Sequence, residues 1–158
     1  MPDFSVLSHS PAQTDALARA LAPELAPGDV VLMEGALAAG KTHFVKAAVA
    51  ALEGADEVTS PTFSIVNVYR TPKRSVLHID AYRLSGPPEF RDLGLEETIE
   101  DGLSFIEWGD RIAADFPQAL TIRFELMGGA DDARRLTFTA ETARWAPVIE
   151  RLQQVALP

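Results

Sequence analysis

The chain has 158 residues, of which 47% are hydrophobic, and it carries a formal net charge of −9 at pH 7. This length suits one domain spanning residues 1–158, and the lack of cysteine excludes disulfides, thiolate metal sites and cysteine nucleophiles. The negative charge opposes direct attraction to nucleic-acid phosphates, and no apolar run reaches the roughly 18 residues of a membrane helix.

The N-terminal region is expected to form a strand at residues 4–7, followed by a helix. Ser10 precedes Pro11 and stands three residues before Gln13, a pattern that starts a helix with a capping box. The first residues lack the basic region of a signal peptide, so we expect a cytoplasmic protein with no membrane contact. Residues 29–33 form a short apolar run typical of a central parallel strand.

This central strand leads into a phosphate-binding motif of the form G-x-x-x-x-G-K-S/T. After it, apolar residues recur at the three- and four-residue spacing of a helix. In such a loop the backbone N–H groups hold phosphate oxygens, the lysine reaches the outer phosphates and the final hydroxyl binds magnesium. The expected nucleotide-binding residues here are Gly35, Ala36, Leu37, Ala38, Ala39, Gly40, Lys41, Thr42 and His43. The alternative is a glycine-tolerant turn before an exposed lysine.

The segment Ser60-Pro61-Thr62-Phe63 follows the loop helix and has two interpretations. It is either a plain turn or a nucleotide-sensing segment, since switch segments of other phosphate-loop proteins contact the terminal phosphate or magnesium at this position. In the second case Thr62 is a candidate contact to the nucleotide.

Three strands are predicted next, at residues 64–69, 75–80 and 103–107, and the last two end in a carboxylate. Phosphate-loop proteins place the acid that holds magnesium or orients the attacking water after such a strand. Asp80 and Glu107 are therefore candidate catalytic residues together with Lys41, although their pattern does not separate their roles. The alternative is that both acids are solvated strand ends.

The remaining segments complete an α/β architecture. Residues 120–126 alternate apolar and polar side chains, as expected of a half-buried strand. Residues 136–138 form a further strand candidate, and a final helix is expected around residues 145–155. The predicted fold is a three-layer sandwich like that of P-loop NTPases, with a mixed central sheet, helices on both faces and antiparallel late strands.

Taken together, these segments resemble the bacterial TsaE family, the P-loop ATPases of tRNA threonylcarbamoyladenosine synthesis. The resemblance extends over about residues 14 to 138. The motifs that carry it are the loop at residues 35–42, Ser60-Pro61-Thr62-Phe63, His78-Ile79-Asp80-Ala81-Tyr82-Arg83-Leu84, Gly94-Leu95-Glu96-Glu97, Ile106-Glu107-Trp108-Gly109 and Asp132-Ala133-Arg134.

The resemblance implies a magnesium-dependent ATPase that assists a transferase of the TsaD and TsaB type. Those partners would hold the tRNA and transfer threonylcarbamoyl to the adenosine beside its anticodon. Thr42 and Glu107 would bind Mg2+, and Asp80 would act near the attacking water. Trp108 would lie near the site, and Thr14 would approach the ATP.

Two features qualify this interpretation. The family loop usually reads Gly-Asp-Leu-Gly-Ala-Gly-Lys-Thr, whereas this chain has Ala36 and Ala38. If position 38 requires a positive φ, alanine costs about 1 kcal/mol there. A small-molecule kinase and a noncatalytic nucleotide-gated module share the same loop, so both remain alternatives. A GTPase is not expected, because the D-x-x-G and Asn-Lys-x-Asp motifs are absent.

Overall fold

The computed structural model describes residues 3–35, 40–54, 58, 65–72, 74–128 and 133–156. Within these ranges, seven strands form a single sheet with helices on both faces. The strands are β1 Asp3–Ser8, β2 Val30–Gly35, β3 Val66–Arg70, β4 Ser75–Asp80, β5 Leu103–Glu107, β6 Leu120–Leu126 and β7 Arg134–Ala140. The helices are α1 Pro11–Leu21, α2 Lys41–Ala51, α3 Pro87–Arg91, α4 Glu96–Asp101 and α5 Ala146–Ala156.

The sheet is mixed, with the strand order β1-β7-β6-β2-β5-β4-β3. Its centre is parallel: β2 pairs in parallel with β5 and β6, and β5 pairs in parallel with β4. On one side β7 is antiparallel to both β6 and β1. The expected antiparallel late strands are therefore confirmed for β7, whereas β6 also has a parallel neighbour.

The other edge of the sheet contains an antiparallel pair that the sequence did not predict. β3 pairs antiparallel with β4, because the connection between them is too short for a parallel crossover. Thr71 closes this turn: its N–H donates to Arg74 O at 3.1 Å and its hydroxyl to the same carbonyl at 2.7 Å.

The two faces of the sheet carry separate cores. Val31 and Met33 of β2 point towards α1, α2 and α5, whereas Val30 and Leu32 point towards α3, α4 and the 3₁₀ segment Gly109–Asp115. This alternation follows from the two-residue period of a strand. The same alternation places Val76 and Phe105 on the side of α1, α2 and α5, and Leu77 and Ile106 on the opposite side.

The predicted start of α1 is confirmed. Ser10 Oγ accepts a hydrogen bond from Gln13 N at 3.2 Å, and Gln13 Oε1 accepts one from His9 N at 2.6 Å. The final helix begins at Ala146, since Trp145 lies in a short 3₁₀ turn. In the part of the chain that the structure describes, no helix is both long and apolar enough to cross a membrane.

Candidate nucleotide-binding site

The candidate site lies where three parallel strands end. Glu107 at the end of β5 pairs with Asp80 at the end of β4 and with Met33 of β2. β2 ends two residues later, at Gly35. The carboxyl edge of a parallel sheet is where α/β proteins bind their ligands. Gly35, where the predicted loop begins, and both predicted acids therefore share one edge. The predicted loop residues Ala36, Leu37, Ala38 and Ala39 lie outside the described residues.

Both ends of the phosphate loop require glycine. Gly35 has φ +136°, and a Cβ there would lie 2.4 Å from the carbonyl oxygen of Phe124. Gly40 has φ +104° and precedes the first turn of α2 without a side-chain cap. The N–H groups of that turn are thus not covered by a capping side chain, and a helix start of this kind favours an anion.

Lys41 is held inside the site, with only 3% of its surface exposed. Its Nζ donates to Gly35 O at 2.7 Å and lies 4.0 Å from the ring centroid of Trp108. Burial lowers the pKa of the Lys41 ammonium below its ordinary value, and the charges of Glu107, Asp80 and Asp110 only partly offset this effect. An anionic ligand would relieve the cost of burying the charge.

Trp108 forms one wall beside this lysine. Its backbone is left-handed, with φ 59°, and its ring packs on Tyr82 at 4.9 Å between centroids. The next residue is Gly109, where a Cβ would lie 2.7 Å from Leu32 Cβ. The close packing of the segment after Trp108 on β2 therefore holds the tryptophan ring beside Lys41.

Thr42 and Glu107 form the pair expected for magnesium. The Thr42 hydroxyl donates to Glu107 Oε2 at 3.1 Å, and His78 Nε2 lies 2.5 Å from the same oxygen. Glu107 is 7% exposed and His78 is fully buried. A hydroxyl and a carboxylate are the oxygen ligands that magnesium takes from a protein when phosphates and water supply the rest.

Asp80 stands beside this pair with a different partner. Its Oδ1 accepts a hydrogen bond from the backbone N–H of Tyr82 at 2.9 Å, and 8% of its surface is exposed. Ala81 N in turn donates to Glu107 O at 3.0 Å, which ties the ends of β4 and β5 together. Neither acid is a freely solvated strand end.

Thr14 and His43 lie on the α1 side of the loop helix. The Thr14 hydroxyl is buried and lies 2.6 Å from Ser8 Oγ. Ser8 Oγ itself donates to Ser10 O, so Thr14 is the donor of the pair. His43 contacts Asp15 at 2.5 Å with 43% of its side chain exposed. Neither contact tests the expected approach to a nucleotide, and Thr62 lies outside the described residues.

Two residues approach the site without a role assigned from the sequence. His78 contacts Glu107 as described above. Its position two residues before Asp80 puts both side chains on one face of β4, but the contact with Glu107 depends on the pairing of β4 with β5. The side chain of Arg134 lies beside the loop, since its Nε would be 3.4 Å from a Cβ on Gly40. No spacing rule connects the start of β7 with the loop, so this proximity required the fold.

The arrangement fits a nucleotide with magnesium, by the chemistry of its donors. The glycine-bounded helix start and Lys41 suit phosphate, and Thr42 with Glu107 suits a hard cation. Among the described residues no group of three or more histidines and carboxylates could hold a metal by itself. Magnesium bound together with phosphates does not need such a group.

The described residues form an α/β fold with a mixed sheet, and the candidate site lies at the carboxyl edge of its parallel strands. A family model described as "Threonylcarbamoyl adenosine biosynthesis protein TsaE" matches residues 8–136. The chain belongs to this family, which confirms the resemblance drawn from its motifs.

Individual relatives agree with the family match. The "tRNA threonylcarbamoyladenosine biosynthesis protein TsaE" of Treponema pallidum is 41% identical over 114 residues, covering 72% of this chain and 83% of the relative. The protein of that name from Bacillus subtilis is 36% identical over 146 residues, covering 92% and 90%. The crystal structure of Bacillus subtilis YdiB superposes with a TM-score of 0.78 at 32% identity, covering 97% of this chain and 95% of that one.

Proposed function

We propose that this member of the TsaE family is a magnesium-dependent ATPase and an accessory to the threonylcarbamoylation of tRNA in the cytoplasm. Family membership supports a role in threonylcarbamoyladenosine biosynthesis. The observation that carries the ATPase proposal is the Thr42 hydroxyl bound to the Glu107 carboxylate at 3.1 Å, one residue after the buried Lys41.

Phosphate binding would use the loop and its lysine. The first turn of α2, after Gly40, offers N–H groups to the phosphate oxygens. Lys41 now donates to one carbonyl and faces an aromatic ring. A phosphate is a stronger acceptor than either, since hydrogen bonds between charged groups are roughly twice as strong as neutral ones. Lys41 is thus expected to exchange Gly35 O for the nucleotide.

The two acids would have different roles in ATP hydrolysis. Thr42 and Glu107 would hold magnesium, which supplies positive charge to the transferring phosphate group. Asp80 has one oxygen bound to Tyr82 N, and its carboxylate would orient the attacking water and accept its proton. Trp108 would exclude solvent on the side of Lys41.

The partners are proposed from the family and from charge. We propose that subunits of the TsaD and TsaB type hold the tRNA and carry out the transfer, while this chain supplies ATP-dependent turnover. The net charge of −9 opposes direct tRNA binding, so the protein would contact tRNA only through those subunits.

Nucleotide titrations test the proposal. ATP affinity would be measured with magnesium and with chelator for the wild type, for Lys41→Ala and for Lys46→Ala, an exposed lysine on the same helix. We expect Lys41→Ala to lose affinity in both conditions and Lys46→Ala to behave as the wild type. Wild-type affinity in Lys41→Ala would refute the loop assignment.

Product analysis separates the proposal from its alternatives. Release of ADP and phosphate, stimulated by the transferase subunits, supports the accessory ATPase. A phosphorylated product after incubation of the purified protein with ATP and small-molecule metabolites would instead identify a small-molecule kinase. ATP binding without turnover, even with the transferase subunits present, would identify a noncatalytic module.

A further inference from the structure

His78 is a fully buried polar residue beneath the candidate magnesium site. Its Nε2 lies 2.5 Å from Glu107 Oε2, and none of its surface is exposed. A carboxylate can only accept hydrogen bonds, so Nε2 carries the proton and donates it. Among the described residues, the other ring nitrogen, Nδ1, has no hydrogen-bond partner. The ring therefore directs its hydrogen bond at Glu107.

The sheet register explains how His78 reaches that carboxylate. His78 pairs with Phe105, and Asp80 pairs with Glu107. All four side chains lie on the α2 side of the sheet, because Phe105 belongs to that core and side chains alternate along a strand. His78 and Glu107 are thus diagonal neighbours, a relationship that long or aromatic side chains can span.

The two donors to Glu107 use the same oxygen. Among the residues that the structure describes, Thr42 Oγ1 and His78 Nε2 both lie within hydrogen-bond distance of Glu107 Oε2, so Oε1 is the oxygen we assign to the metal or its water. The Thr42 hydroxyl donates its only proton to Glu107, so the lone pairs of its oxygen can bind the same magnesium ion. The carboxylate is therefore held from the strand side by His78 and from the helix side by Thr42.

We propose that His78 is a positioning residue that fixes the Glu107 carboxylate in the orientation that binds magnesium. The inference rests on the proposed function, because it assigns Glu107 to the metal. Hydrogen bonds to a ligating group from an outer shell orient that ligand, and their loss lowers metal affinity by about 10- to 100-fold. A purely structural histidine would affect stability and leave the magnesium dependence unchanged.

Two substitutions of similar polarity separate these roles. In His78→Gln the amide nitrogen takes the place of Nε2 and reaches Glu107, whereas in His78→Asn it takes the place of Nδ1 and falls short. We expect His78→Asn to need about 10- to 100-fold more magnesium for the magnesium-dependent gain in ATP affinity. We expect His78→Gln to stay close to the wild type and both to keep the affinity measured with chelator.

The experiment is a magnesium titration of ATP binding, run beside thermal unfolding without ligand. His78→Leu provides a second loss variant that introduces no buried unpaired amide, and the same weakening is expected. In a Glu107→Ala background, His78→Asn should cause no further loss, since its effect passes through that carboxylate. Further weakening in this background would overturn the proposal.

The remaining outcomes are distinct. Wild-type magnesium dependence in a folded His78→Asn or His78→Leu would overturn the role of His78 and leave the proposed function standing. The role of His78 is likewise overturned if His78→Gln is as weak as His78→Leu. If the wild type binds ATP equally with magnesium and with chelator, the metal assignment of the proposed function fails, and the inference about His78 fails with it.

Discussion

Asp80 and Glu107 are paired across the parallel strands β4 and β5, yet their carboxylates have different partners. Glu107 accepts from Thr42 and His78, whereas Asp80 accepts from the backbone of Tyr82. The Glu107 carboxylate, hydrogen-bonded to Thr42 of the loop helix, is suited to binding a metal ion. The neighbouring Asp80 carboxylate is suited to orienting a water molecule. This difference supports the division of roles that the sequence left open.

Loss of either group of the proposed magnesium pair should weaken only the magnesium-dependent part of ATP binding. We expect Thr42→Val and Glu107→Gln each to raise the magnesium requirement by at least about tenfold, the lower bound for loss of an outer-shell partner. Affinity with chelator should remain at the wild-type level, because Lys41 and the loop are retained. Calorimetric titration with and without magnesium measures both quantities.

Asp80→Asn should reduce turnover much more than affinity. The amide oxygen can still accept from Tyr82 N but cannot take a proton from water, and loss of a positioned base costs about 10²- to 10⁴-fold in rate. Steady-state ATP hydrolysis in the partner complex would measure this loss. Asp110→Asn is the matched control, because Asp110 is an exposed acid whose charge also acts on Lys41. Equal rates in Asp80→Asn and Asp110→Asn would contradict the assignment.

Much of this arrangement follows from local patterns. The strands predicted at Ser75–Asp80, Leu103–Glu107 and Leu120–Leu126 have those bounds in the structure. The apolar character of the first two strands and the apolar alternation of Leu120–Leu126 are local properties, and so is the cap at Ser10. Asp80 and Glu107 lie at the same edge of the sheet because each is the last residue of its strand and the two strands run parallel.

Other features depend on contacts that are distant in sequence. Arg134 reaches the loop only because β7 lies antiparallel beside β6, and no local signal orders strands in a sheet. The sequence predicts the strand β3, but its direction depends on the turn at Thr71. In the sequence His78 is an ordinary residue of a strand, since its bond to Glu107 needs the register of two strands.

The buried charge of Lys41 should make stability depend on pH. Because its pKa is lowered in the folded protein, the unfolded chain binds that proton more tightly. The free energy of unfolding should therefore rise with pH between the lowered pKa and the ordinary lysine value. Relative to Lys41→Met, the wild type should gain stability over this range. Urea unfolding from about pH 7 to about pH 10 measures the difference, with Lys46→Met as control.

Gly35→Ala should destabilise the fold as well as the loop. The added Cβ would lie 2.4 Å from Phe124 O at a φ of +136°, so overpacking of about 1 to 3 kcal/mol adds to backbone strain of about 1 kcal/mol. Gly94→Ala is the matched control: its φ is +68°, but nothing lies within 4 Å of the new Cβ. We expect it to lose only about 1 kcal/mol in urea unfolding. Equal losses of stability in Gly35→Ala and Gly94→Ala would show that the backbone shifts to remove the close contact with Phe124.

The isolated protein should hydrolyse ATP slowly and bind tRNA weakly, whereas its complex with the proposed transferase subunits should hydrolyse ATP faster. The charge of −9 opposes tRNA, and a partner can complete a phosphoryl-transfer site with groups worth about 10³ to 10⁵ in rate. Reconstitution with TsaD- and TsaB-type subunits, tRNA and a threonylcarbamoyl donor tests this. Modification would be followed over several turnovers with the wild type, with Lys41→Ala and with neither.

We expect sustained modification only with the wild type, because the proposed accessory role depends on the ATP site. If Lys41→Ala sustains modification as well as the wild type, the protein acts through contact alone and its ATP site is dispensable. Equal modification without any added protein would remove the accessory role altogether. A shift in tRNA mobility caused by this protein alone at physiological salt would contradict the charge argument and leave the ATPase assignment intact, since tRNA binding and ATP turnover are measured separately.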